Sequence, residues 1–166
     1  MRLLIGLGGN QGAVQDAFSA AVAALAALFD VVSRSAIWRS EAHGPPQPDY
    51  LNAAVLVETG AHPSEVLALC RGIEADAGRD RTREQRWGPR PLDLDLLIAP
   101  GLVIETSALV LPHPRLVERR FALAPAAELA PEWVHPRLHR TLADLASSPA
   151  LAAQRCQRIA GLGFGA

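Results

Sequence analysis

The sequence predicts an α+β fold: a β-α-β-β-α-β sandwich with an antiparallel sheet and extra helices at the C-terminal end. Three observations carry that expectation. Short apolar or β-branched segments alternate with two longer stretches of helical period. Gly, Pro, Asn or Asp punctuates the ends of these segments. The chain has 166 residues, 49% hydrophobic and 20% charged, which suits one globular domain burying about two-thirds of its unfolded surface.

Residues 3–7 form a short apolar run closed by Gly8, Gly9 and Asn10, as a buried strand ending in a tight turn does. Residues 13–28 are alanine-rich, with Ala17, Ala20, Ala21, Ala24, Leu25 and Leu28 spaced for one face of a helix. Residues 30–39 and 50–59 are β-branched and partly alternating, and both read as strands. Between them Gly44, Pro45, Pro46 and Pro48 exclude regular structure and leave a semi-rigid loop over 40–49. Residues 63–77 form the second helix, with Pro63 in its first turn and Gly78 placed to end it. Residues 92–98 return to strand, completing an order that is the ferredoxin-like unit. Beyond it, 103–104 suggest a strand and 117–129 a helix. The tail after Thr141 reads as partly helical, with 147–166 of no evident role. No internal repeat or linker divides residues 1–166.

All sixteen basic residues are arginine. A chain without lysine has no Gly-Lys-Ser/Thr phosphate loop, no Schiff-base amine and no kinase-type strand lysine, so phosphate must be met by arginine, metal or backbone. The net charge of -1 gives no global attraction to nucleic acid or membrane. Cys70 and Cys156 are too few for a disulfide framework and lack metal-site spacing. The N-terminal apolar run is far shorter than a signal or a membrane span, so a cytoplasmic location is expected.

Five arginines (Arg79, Arg81, Arg83, Arg86, Arg90) lie within the thirteen residues from Gly78 to Arg90. Alone, such a run reads as a solvated turn. Here Pro91-Leu92-Asp93-Leu94-Asp95 follows at once. On a strand, Asp93 and Asp95 share a face with Cα atoms roughly 6.5 Å apart. Carboxylates so close repel unless a cation bridges them, and oxygen-only ligands favour Mg²⁺ shared with substrate phosphates. The competing reading has one carboxylate capping a turn and the other paired with an arginine. Carboxylates, metal and arginines together suit phosphoryl transfer.

A second cluster, Gln47-Pro48-Asp49-Tyr50-Leu51-Asn52, puts Tyr50 and Asn52 on one strand face. An aromatic surface beside an amide that both donates and accepts suits a planar heterocycle such as a pterin or a base. His113 has no partner at metal-ligand spacing and reads as structural or hydrogen-bonding. Gly6-x-Gly8-x-x-Gln11 fails the dinucleotide fingerprint at its third glycine.

Taken together, Gly8-Gly9-Asn10, the run from Gln47 to Ala54, the block from Arg86 to Asp95, and Leu111-Pro112-His113 with Arg119 and Phe121 resemble the 6-hydroxymethyl-7,8-dihydropterin pyrophosphokinases. The resemblance runs in order from about residue 3 to about residue 135. It implies a Mg²⁺-dependent transfer of pyrophosphate from ATP to 6-hydroxymethyl-7,8-dihydropterin in folate biosynthesis, releasing AMP, by a chain that is a monomer.

By the same resemblance Asp93 and Asp95 are the ligands of two Mg²⁺ ions. Tyr50 and Phe121 sandwich the pterin, while Asn52 and the Ser40 to His43 loop bond its edge. Arg79 and Arg90 clamp phosphates, and Arg81, Arg86 and Trp87 belong to a closing loop over the nucleotide. Glu74, Leu96, His113 and Arg119 line the nucleotide side. Gly9, Ser40-Glu41-Ala42, Arg71 and Pro114 depart from the family pattern, and the loop after Gly78 is one residue longer. A non-catalytic ferredoxin-like module for single-stranded nucleic acid is the competing class. Against it stand the lack of an aromatic RNP pattern and the absence of net positive charge.

Overall fold

The computed structural model describes residues 1–83 and 88–159. Strand β1 (Arg2–Gly9) leads into helix α1 (Val14–Leu28), followed by β2 (Asp30–Arg34), β3 (Trp38–Ser40) and β4 (Tyr50–Glu58). Helix α2 (Pro63–Asp76) and strand β5 (Asp93–Ile98) follow, so the order is β-α-β-β-β-α-β, one strand more than expected. After them come β6 (Ile104–Glu105), β7 (Val110–Leu111), a 3₁₀ turn at Leu116–Glu118, α3 (Arg120–Leu129), α4 (Leu142–Ala146), α5 (Pro149–Ala152) and β8 (Cys156–Arg158).

The main sheet runs β5-β1-β4-β3-β8, with β2 also on β4, and every pairing is antiparallel. Alternation along β1 and β4 splits the interior into two cores. Leu3, Ile5, Leu7, Val55 and Val57 pack under α1 and α2. Leu4 and Leu56 face the other way, against Leu123 and Ala126 of α3 and Leu142 and Leu145 of α4. Helices α3 and α4 occupy only part of that second face, and the remainder carries the site described below.

Three expectations are corrected. Residues 30–39 are two strands, because Ser35 replaces a ladder carbonyl: its Oγ accepts from Ala54 N at 2.9 Å while its own N donates to Ala54 O at 2.9 Å. The Ala36 N then turns to Glu128 Oε1 at 3.0 Å. The helix expected over 117–129 is interrupted at Arg119, whose extended backbone (φ -121, ψ 103) separates the 3₁₀ turn from α3. The tail also contains a strand, β8, whose Cys156 pairs with Ser40 and whose Arg158 pairs with Trp38.

The buried face of α1 is Val14, Phe18, Ala21, Val22 and Leu25, whereas Leu28 is exposed. The larger side chains set that face, since burying Phe or Val removes more apolar area from water than burying Ala. At α2, His62 Nδ1 accepts from Ser64 N at 3.3 Å, and Glu65 Oε2 accepts from His62 N at 2.8 Å. This capping box satisfies donors that a helix start leaves unpaired. Gly78 follows with φ +88, the left-handed conformation that suits a helix terminator. Cys70 and Cys156 are both buried and unbridged, and burial pushes the Cys70 thiol up to about 12. Among the described residues no helix is long and apolar enough to cross a membrane.

Candidate functional site

Strand register assembles the site. Gly8 pairs with Asn52 on one side and Asp93 on the other, and Gly6 pairs with Asp95. Asn52, Gly8 and Asp93 therefore form one row across three strands, on the face opposite α1 and α2. A Cβ on Gly8 would sit 3.8 Å from Asn52 Oδ1 and 3.9 Å from Asp93 Cβ, so the chain itself leaves room there. The missing side chains keep the floor of a cavity of about 540 Å³ open. Ser40, Glu41, His43, Gly44 and Tyr50 line it, together with Arg115, Glu118, Arg119, Phe121 and Gln154.

Asn10 ties the neighbouring loops to this floor. Its Nδ2 donates to Gln47 Oε1 and Pro48 O, each at 2.9 Å, and its Oδ1 accepts from Arg90 N at 3.0 Å. Gly9 has to be small: a Cβ there would lie 2.5 Å from Pro91 O. Any larger residue at this position would press on that carbonyl. Tyr50 donates from its hydroxyl to Gly88 O at 2.9 Å, and the Arg90 guanidinium lies 6.0 Å over its ring. Asn52 is buried and donates from Nδ2 to Ser40 Oγ at 2.9 Å. Its Oδ1 faces the Gly8 position.

The charges are arranged unequally. Burial opposes ionisation of Asp93, but Arg79 and Arg90 hold its carboxyl below the usual range. Arg79 Nη1 bonds one carboxylate oxygen and Arg90 Nη1 donates to Oδ2 at 3.0 Å. Asp95 is pushed up to about 7 by burial and then by the charge of Asp93. Arg90 Nε is buried without a hydrogen-bond partner among the described residues. Burial and the Arg119 charge lower His113 to about 4, so its ring is neutral, with Nδ1 accepting from Arg115 N at 3.2 Å.

These groups fit a hard divalent cation and an anionic ligand. Two carboxylates at the floor, one repelled into holding its proton near neutrality, are relieved by a positive ion bound between them. Two protein oxygens are a sparse set unless phosphate and water complete the shell, which is the usual arrangement for Mg²⁺. No cluster of three or more His, Cys, Asp or Glu suited to a metal occurs among the described residues. An Arg90 Nε without a partner among the described residues suits an anionic acceptor such as a phosphate oxygen.

Of the residues expected from sequence, Ser40, His43, Tyr50, Asn52, Arg90, Asp93, Asp95, Arg119 and Phe121 converge on this cavity. Four others sit outside the lining of this cavity. Leu96 sits in the core beneath α1 and α2, because alternation on β5 sends it opposite to Asp95. Glu74, only 1% exposed, is an interior carboxylate that accepts from Leu94 N at 2.8 Å and Arg79 Nη1 at 2.7 Å. Arg79 is consequently buried between Glu74 and Asp93 rather than open to the cavity. Arg81 turns back to Glu74, donating from Nε to Oε2 at 3.2 Å. A carboxylate this deep requires compensating cations, and the two arginines provide them. His113 borders the site next to Arg119 without lining the cavity. Arg86 and Trp87 lie outside the described residues.

Sequence reading missed Arg115, Glu118 and Gln154 as cavity residues. Arg115 and Glu118 flank the Leu111-Pro112-His113 motif and were within its reach. Gln154 left no signal, since it arrives through the pairing of β8.

The whole arrangement has relatives. A family model described as 7,8-dihydro-6-hydroxymethylpterin-pyrophosphokinase matches residues 4–131. A Synechocystis protein named 2-amino-4-hydroxy-6-hydroxymethyldihydropteridine pyrophosphokinase is 44% identical over 144 residues, covering 86% of this chain and 73% of that protein. A protein of the same name from Bacillus subtilis is 44% identical over 128 residues, 75% of each chain. Among solved structures, one described as HPPK-DHPS in complex with substrates superposes with a TM-score of 0.66 at 11% identity, over 87% of this chain and 42% of that one. The wild-type Plasmodium falciparum HPPK-DHPS gives 0.64 at 12%, over 87% and 40%. At such identities the likeness is one of fold, and this chain spans less than half the length of those two.

Proposed function

The chain belongs to the 7,8-dihydro-6-hydroxymethylpterin-pyrophosphokinase family, and on that premise we propose that it transfers pyrophosphate from ATP to 6-hydroxymethyl-7,8-dihydropterin, a step of folate biosynthesis. The observation that carries this reading is the row Asn52–Gly8–Asp93 with Asp95 beside it, which brings an amide for a heterocycle edge and an acidic pair to one floor.

The pterin ring would lie against Tyr50 and Phe121, with the Asn52 amide and the backbone of the Ser40 to His43 loop reading its edge. Its hydroxymethyl oxygen would then point along the floor toward Asp95. That oxygen attacks the β-phosphorus of ATP; the new O–P bond forms as the bond to the α–β bridging oxygen breaks, the hydroxyl proton passes to solvent water, and AMP leaves with the bridging oxygen. Asp93 and Asp95 would hold Mg²⁺, in two ions, which when bound neutralises phosphate charge and orients the attacking hydroxyl.

This chain's own groups position and compensate. Arg90, whose Nε has no hydrogen-bond partner among the described residues, would meet a phosphate oxygen, and Arg119 adds a second guanidinium to the cavity lining. ATP brings about four negative charges, and each charge pair at ~4 Å in a partly screened site is worth roughly 4 kcal/mol, so several cations are a proportionate complement. Arg79, Glu74 and Arg81 act from behind, fixing Asp93; Arg86 and Trp87, outside the described residues, are expected on the nucleotide side. His113, neutral, holds the turn that aims Arg119. No covalent intermediate is required. A nucleic-acid-binding role is disfavoured because the acidic floor repels a phosphate backbone in the absence of a cation.

The test is steady-state turnover with ATP, Mg²⁺ and the hydroxymethyl pterin, following AMP. AMP formation that requires all three supports the proposal; ADP as the nucleotide product, or ATP consumption indifferent to the pterin, contradicts it.

A further inference from the structure

We propose that the C-terminal segment 149–158 is a strap that positions both pterin-side walls of the cavity, with Gln154 as its positioning residue. The inference deepens the reaction proposed above and rests on it. The family match ends at residue 131, so it assigns nothing to this segment.

One wall is held through the sheet. Strand β8 pairs with β3 so that Cys156 stands opposite Ser40, and Glu41 N donates to Arg155 O at 3.3 Å. Ser40 in turn receives the Asn52 amide. The other wall is held by one side chain. Gln154 Oε1 accepts from Arg120 N at 2.9 Å, and its Nε2 donates to Glu118 O at 2.7 Å. Arg120 is the first residue of α3, and Arg119 at its N-cap offers no side-chain cap. Glu118 ends the 3₁₀ turn.

Gln154 thus caps two backbone ends on either side of the extended Arg119, groups that a helix start and a turn end leave unpaired. It fixes where α3 begins, and Phe121 is the second residue of that helix. Leu151, buried against α3 and α4, anchors the strap upstream. A single amide therefore sets the distance between the Ser40 to Gly44 wall and the Phe121 wall, which is the width of the slot into which a flat ring would slide.

Gln154→Met keeps the volume and loses both hydrogen bonds; Gln154→Ala loses both bonds and the volume. Each is expected to raise the KM for the pterin about tenfold, consistent with the loss of two modest hydrogen bonds. The KM for ATP and kcat should stay close to wild type, while the melting temperature falls by a few degrees because two backbone caps are lost. Wild-type pterin KM in the Met variant would overturn the proposal, and so would parallel losses in both KM values. Hydrogen exchange at the amides of Arg120 and Phe121 gives a readout free of turnover. Faster exchange in Gln154→Met is expected, and unchanged exchange would refute the strap. Were the wild type to lack turnover while exchange responded, the reaction would be wrong and the strap right.

Discussion

Replacing Glu74 by glutamine tests whether the acidic floor is supported from behind by a buried charge network. Glu74 Oε1 accepts from Arg79 Nη1 at 2.7 Å and Leu94 N at 2.8 Å, while Oε2 accepts from Arg81 Nε at 3.2 Å. A glutamine keeps one acceptor, which Leu94 N and Arg79 still reach, and places an NH2 against the Arg81 guanidinium. The Arg79 side chain is 3% exposed, so its lost ion pair is felt nearly in full; Arg81 is 50% exposed, so solvent screens its share. Charge-assisted hydrogen bonds are worth about 1.5–3 kcal/mol each, and one buried bond weakened plus one screened bond lost gives a destabilisation of about 2–4 kcal/mol. Urea denaturation at neutral pH measures this directly as a lower midpoint at unchanged slope. A loss below about 0.5 kcal/mol would refute the reasoning, since a mutation at an ordinary surface position costs that little.

Two further outcomes follow from the same site. Asp95→Asn should abolish turnover, because the floor loses half of its anionic pair. It should also change the pH dependence of metal-free stability. With its carboxyl raised from 3.8 to about 7, folded Asp95 keeps a proton that the unfolded chain releases. Stability from this group is full below pH 3.8 and is lost as pH rises toward about 7. In chelator, the asparagine variant should therefore outlast wild type at pH 8, by at most about 4 kcal/mol, and show no such gain at pH 4. Parallel denaturation curves for the two proteins across that range would count against the raised carboxyl. Tyr50→Ala removes the ring beneath Arg90 and should weaken pterin binding by about tenfold or more while leaving the KM for ATP within about threefold, given ~1.5 kcal/mol or more for a buried aromatic contact. Equal losses in calorimetry for both ligands would remove Tyr50 from the pterin wall.

The strands and helices that build the central sheet were legible because their signals are local. Alternation in 50–59 and 92–98, Pro63 ahead of an apolar period and Gly78 behind it all specify backbone geometry within a few residues. Asp93, Asp95, Tyr50 and Asn52 were legible for the same reason, since sharing a strand face needs only period two. What escaped depends on distant partners. Ser35 breaks a strand because its hydroxyl finds Ala54 N, 19 residues on. The helical face of α1 could be misjudged because alanine marks period without marking depth. Glu74 and Arg79 read as ligand-facing through the family resemblance, and their charges meet each other in the interior. Strand β8 and Gln154 were hidden in a tail whose pairing partner, β3, lies over a hundred residues earlier.

Pyrophosphate should move whole from ATP to an oxygen held over the Asp93 and Asp95 floor. ATP labelled separately at the β- and γ-phosphates follows that transfer. With 6-hydroxymethyl-7,8-dihydropterin and Mg²⁺, both labels should appear together in the pterin product and unlabelled AMP should accumulate in equal amount. Transfer of the γ-label alone, with the β-label left in ADP, would show a phosphoryl rather than a pyrophosphoryl transfer.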